Sequence, residues 1–179
     1  IFAGENKSSL DNFHKELLIR NDFDFIEYNS LSEIKKLDFI VDTGFCSEKI
    51  SDNVRLFSSQ VNAIKSVSAV AEKTHAKTIV LTDSRVYGKT ETHRVYSENE
   101  YAKIDLCNEK SFSAQLMRTV ENLWFCKNKG KNFDLTILRT GIVLGAGTKL
   151  VTELDEVFDC VAKGEKCSIV NSLKKYSFV

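Results

Sequence analysis

An α/β fold built on a doubly wound parallel sheet is predicted by three features of this 179-residue sequence. Short apolar, β-branched runs alternate with longer stretches of helical period, the pattern of strands joined by crossover helices. Most of the runs are continuously apolar, as strands covered on both faces require. Four segments, Gly4–Ser8, Asp42–Phe45, Thr82–Gly88 and Thr140–Gly147, each follow a run directly, where such sheets hold their ligands.

The strand candidates in order are Ile1–Ala3, Phe23–Glu27, Asp38–Asp42, Lys77–Thr82 and Asp134–Arg139. Between the third and fourth, Val54, Phe57, Val61, Ile64, Val67 and Val70 recur at intervals of three and four and give one apolar stripe along a helix of about 20 residues. Phe112, Leu116, Val120 and Leu123, widened by Trp124, repeat the device before the last strand. These aromatic residues are read as core. Residues 89–108 form a long polar loop holding Tyr96 and Tyr101, and a loop of that length in a compact domain is usually functional.

Composition excludes several classes of function. Acidic and basic residues balance at 25 each, so no global field draws the chain to nucleic acid or an anionic membrane. No apolar run approaches the roughly 20 residues that span a bilayer, and Ile1-Phe2-Ala3-Gly4 has neither the basic start nor the apolar middle of a signal peptide. A cytoplasmic protein is expected. Five cysteines (Cys46, Cys107, Cys126, Cys160, Cys167) are scattered with no C-x-x-C pair, and the three histidines are equally dispersed, so no metal site is expected. Proline is absent, where average usage of about 5% would supply roughly nine.

Thr82-Asp83-Ser84-Arg85-Val86-Tyr87-Gly88, a long helix some twenty residues on, and then Ile137-Leu138-Arg139-Thr140-Gly141-Ile142-Val143-Leu144-Gly145-Ala146-Gly147 resemble the extended short-chain dehydrogenase/reductase family. More narrowly they are similar to its NAD-dependent nucleotide-sugar epimerases and dehydratases. The resemblance implies a Rossmann-like domain over residues 1–150, with residues 151–179 as the start of a small substrate lobe, either a partial chain or a vestigial lobe. It also implies NAD or NADP as cofactor, a nucleotide sugar as ligand, and dimerisation, with itself or with another chain, through the two long helices. Neither a nucleic acid nor a membrane is an expected partner.

The family's first strand runs into a G-x-x-G-x-x-G turn that lets the backbone approach a pyrophosphate at a helix N-terminus. Gly4 fits the first position, but Lys7 and Leu10 stand at the second and third, and each adds a Cβ where the cradle needs room. Lys7, Ser8 and Ser9 either hold an anion or, in the case of Ser8 or Ser9, cap a helix. Glu27, at the end of the second strand, stands near the acidic residue that meets the adenosine ribose in the family.

Family chemistry uses a Ser or Thr on the substrate oxygen, a Tyr that transfers a proton and a Lys four residues later that acidifies the phenol. Here the resemblance puts Asp83 at the Ser/Thr position, with Ser84 beside it, Ser113 at the tyrosine and Met117 at the lysine. A carboxylate at Asp83 would repel a developing oxyanion, and Met117 brings no charge. Three readings follow: a catalytically silent relative kept as a binding or partner subunit; an active NAD(P)-dependent epimerase, dehydratase or reductase using Tyr87, Tyr96 or Tyr101 with Lys89 or Lys103; or a structural or interaction domain without cofactor.

Overall fold

The computed structural model describes residues 1–4, 8, 12–43, 52–88, 94–101, 103–105, 107–130, 133–141, 157 and 160–166. Lys7, Ser9, Leu10, Lys89 and most of the expected lobe at 151–179 therefore lie outside the described residues. Among the described residues there are five strands: β1 (Phe2–Gly4), β2 (Phe25–Glu27), β3 (Phe39–Asp42), β4 (Lys77–Asp83) and β5 (Leu135–Thr140). Three helices lie between them: α1 (Asn12–Leu17), α2 (Asn53–Thr74) and α3 (Phe112–Asn128). Every expected strand is found within about two residues of its expected bounds, which is the normal uncertainty of an element end.

The sheet differs from expectation in two respects. Its strands form two hydrogen-bonded groups, β1 with β2 and β3-β4-β5. The β1–β2 and β3–β4 pairs are both parallel, with Gly4 opposite Glu27 and Asp42 opposite Val80. Strand β3 is not covered on both faces either, since Phe39 is 63% and Val41 58% exposed. A continuous apolar run therefore overstated its burial: Ile40 and Asp42 face inward, while their odd-numbered neighbours meet solvent.

The core lies between β4 and the two long helices. Ile64 and Ala71 of α2, Val80 of β4, Val86, and Leu116, Met117, Val120 and Trp124 of α3 form one buried cluster. Both apolar stripes read from the sequence point into it, although the α2 stripe frays at its start, where Val54 and Phe57 are exposed. Asp52 starts α2 by accepting hydrogen bonds from the N–H groups of Val54 (2.9 Å) and Arg55 (3.2 Å). His75 ends it in the left-handed region at φ 54°, and Lys73 donates to the Ser32 carbonyl at 2.8 Å, tying the helix to the 3₁₀ segment Tyr28–Glu33.

The chain divides into two compact units, Ile1–Leu138 and Arg139–Val179. In the second, the turn of helix at 160–163 closes on Gly164, whose φ of 68° suits glycine. Among the described residues no helix is long and apolar enough to cross a membrane, and no cluster of His, Cys, Asp and Glu could hold a metal ion.

Candidate active site

The carboxyl end of β4 runs straight into a 3₁₀ turn, Ser84–Tyr87, which α3 packs against. Gly88 closes the turn at φ 76°, and a Cβ there would lie 2.8 Å from Ile104 Cγ1 and 3.3 Å from the Lys103 carbonyl oxygen. Only glycine accepts both that conformation and that crowding. Arg118 fixes the junction from the helix side: its Nε donates to the Val86 carbonyl at 2.8 Å and a terminal nitrogen to the Tyr87 carbonyl at 3.4 Å.

The four positions expected to carry chemistry lie at the end of β4, in this turn and on α3. Asp83 is the last residue of β4, and its carboxylate accepts 2.7 Å hydrogen bonds from the backbone N–H and from Nε of Arg85, with a further close contact to the Arg85 terminal nitrogen. The carboxylate thus caps its own turn. Ser84 is exposed and opens that turn. Ser113 is half-buried in the first turn of α3. Met117, one turn further on, is 0% exposed.

Ser113, Met117 and Glu121 follow at intervals of four and so share one face of α3. The buried Glu121 accepts a 2.9 Å hydrogen bond from the Thr82 hydroxyl of β4. That helix face offers a hydroxyl, a thioether and a carboxylate, and none of these acidifies a phenol. The Glu121 contact is a feature that sequence reasoning missed, although the spacing from Met117 and the hydroxyl of Thr82 were both visible. A second missed contact joins Trp124 Nε1 to Asp42 Oδ2 at 3.2 Å, anchoring α3 to the carboxyl end of β3.

Among the described residues, the loop tyrosines stack on one another and on arginines. Tyr87 and Tyr96 lie with ring centroids 5.8 Å apart. The Arg94 guanidinium stacks 4.9 Å from the Tyr96 centroid, and that of Arg118 4.6 Å from the Tyr101 centroid. Arg94 also pairs with Glu100 at 2.9 Å, and Glu100 accepts from the Ser97 N–H at 2.8 Å. The Ser97 N–H, then Arg94, hold the Glu100 carboxyl below the usual glutamate value. Lys103 is exposed, and Lys89 is outside the described residues.

Of the expected cofactor positions, Gly4 and Glu27 end neighbouring strands and face each other in register. A Cβ on Gly4 would sit 3.2 Å from Phe25 Cε2, so packing against that ring already accounts for the glycine. Gly4 and Glu27 could meet the adenosine half of NAD. The nicotinamide half finds no fit at the lysine position, because Met117 is enclosed in the core and has no charge to offer a ribose hydroxyl.

No family model matches this chain, and no curated protein matches it in sequence. Solved structures match its fold. UDP-N-acetylglucosamine 4-epimerase from Methanobrevibacter ruminantium M1 superposes with a TM-score of 0.71 at 17% identity, over 98% of this chain and 59% of its own. The NAD complex of dTDP-glucose 4,6-dehydratase from Bacillus anthracis gives 0.72 at 11% identity, over 99% of this chain and 57% of its own. The NAD complex of UDP-glucuronic acid 4-epimerase from Bacillus cereus gives 0.69 at 16% identity, over 91% and 55%. The chain has the α/β fold of these epimerases and this dehydratase and spans a little over half their length.

Proposed function

We propose that this chain is a catalytically silent epimerase/dehydratase-type domain that serves as a binding or partner subunit in nucleotide-sugar metabolism. The observation that carries the reading is the complete enclosure of Met117 at the position of the family's lysine. Proton transfer to or from a sugar oxygen at neutral pH needs a phenol acidified by a neighbouring cation. At this junction the phenol position is a serine, the cation position an uncharged core residue, and the hydroxyl position a carboxylate already engaged by Arg85. Three such replacements act in one direction.

A second reading has one observation in its favour. Tyr101 is a phenol with a cation, Arg118, stacked on its ring. In that reading an active NAD(P)-dependent epimerase, dehydratase or reductase uses Tyr101 as proton donor, and Y101F abolishes its turnover. Calorimetric titration with NAD, NADH, NADP and NADPH tests the first reading, which expects weak binding or none at millimolar cofactor. Submicromolar binding of any of the four would favour the second. A third reading, an interaction domain with no ligand of this class, expects no heat with UDP-sugars either.

A further inference from the structure

We infer that the gap between the two strand groups is a binding site for a small, mostly apolar molecule carrying one hydrogen-bond-donating head, an amine or a hydroxyl. The gap is a cavity of about 480 Å³. Residues of both parities along β3 line it, Phe39 and Val41 with Ile40 and Asp42, so what borders it is the edge of the strand and not one face of the sheet. Its floor is buried and aliphatic, formed by Leu31 and Val70, and its rim carries the exposed side chains of Phe39 and Val41.

Two features set the chemistry of the guest. Protein interiors seldom contain voids larger than a water molecule, and water needs two to four polar partners to occupy one. Here most of the lining residues are apolar, and the polar ones are Asp42 and its neighbour Thr43, at the end of β3, and Tyr28. An apolar body therefore gains contact along the walls, and a donor head meets the carboxylate. No lysine, arginine or histidine is among the described lining residues, so a dinucleotide, with its two phosphates, does not suit this cavity. The volume is that of an ordinary small-ligand pocket. This inference stands independently of whether the chain turns over a nucleotide sugar.

Trp124 is the sole tryptophan, and its indole N–H is bonded to Asp42, so the site reports on itself. The probes are 2-phenylethylamine and, with the opposite charge on a similar body, 3-phenylpropionate. Expected are a saturable change in Trp124 emission and a rise in Tm with the amine, at least tenfold weaker binding of the carboxylate, and loss of amine binding in V70F, which fills the floor. Should V70F fail to fold, V67F narrows the same cavity from a half-buried position. Absence of saturation with the amine to 10 mM, equal binding of both probes, or unchanged amine binding in a folded V70F or V67F would overturn the inference.

Discussion

The carboxylate of Asp83 is bound by the residue two places after it: the Arg85 N–H and Nε each donate to it at 2.7 Å. A strand end that could face a substrate is thereby turned into the cap of a short turn. D83A should cost about 1 kcal/mol, the usual loss for an N-cap, while D83S should retain most of the capping. Urea denaturation of the two variants checks this, and equal losses in both would show that the carboxylate has a role beyond the cap.

Met117 is buried among apolar side chains of α3 and β4. Restoring a lysine there buries an ammonium whose acidic neighbour one turn on, Glu121, already accepts a hydrogen bond from Thr82, and a buried charge left incompletely compensated costs up to about 3–5 kcal/mol. M117L, which nearly conserves volume, should cost under about 1.5 kcal/mol. Equilibrium unfolding of M117K and M117L measures the difference. An M117K protein as stable as the parent would mean that the side chain reaches solvent or a cleft, or pairs with Glu121.

Gly88 combines a positive φ with a close approach to Ile104. G88A should lose about 1–3 kcal/mol through backbone strain alone, with a further loss from the contact. In a double-mutant cycle I104A should recover the steric part and leave the strain. Full recovery in G88A/I104A would assign the whole effect to crowding.

Trp124 is buried and donates to Asp42. D42A leaves a buried indole N–H without that acceptor and should cost about 1–3 kcal/mol, whereas D42N keeps an acceptor oxygen and should cost less. Because this is the only tryptophan, its emission reads the change directly. Identical spectra and stabilities for D42A and D42N would argue against the bond.

Glu100 holds the loop at residues 94–101 through Ser97 and Arg94. Its folded pKa is depressed, so the contribution is present above the unfolded value and is lost as pH falls through the folded one. An NMR titration should place the Glu100 midpoint below that of an ordinary glutamate, and proteolysis within the loop should quicken as pH drops through it. Both effects should weaken in 1 M salt, since the pair is exposed.

The strands and long helices were legible because they are written in local patterns: β-branched runs for the strands, intervals of three and four for α2 and α3. The roles expected at Asp83, Ser113 and Met117 rested on the resemblance to the family's motifs, and local pattern by itself gave only their places at a strand end and along a helix. What could not be read depends on contacts distant in sequence. Trp124 meets Asp42, and Glu121 meets Thr82, across intervals that no periodicity records. The exposure of Phe39 and Val41 was hidden for a similar reason, because an apolar run does not say which of its faces another element covers. The role of Tyr101 and Tyr96 as stacking partners for Arg118 and Arg94 needed the path of the loop itself.

The claim on which the rest turns is that Ser113 and Met117, at the positions expected for the phenol and its cation, leave the chain without proton transfer to a sugar. Its most direct test is product formation by the full natural chain with saturating NAD and UDP-N-acetylglucosamine or UDP-glucuronic acid, followed by NMR of the sugar for inversion at C4 or loss of water. The proposal expects no product above the uncatalysed background. Turnover in the ordinary enzymic range of about 1–10³ s⁻¹ would contradict it.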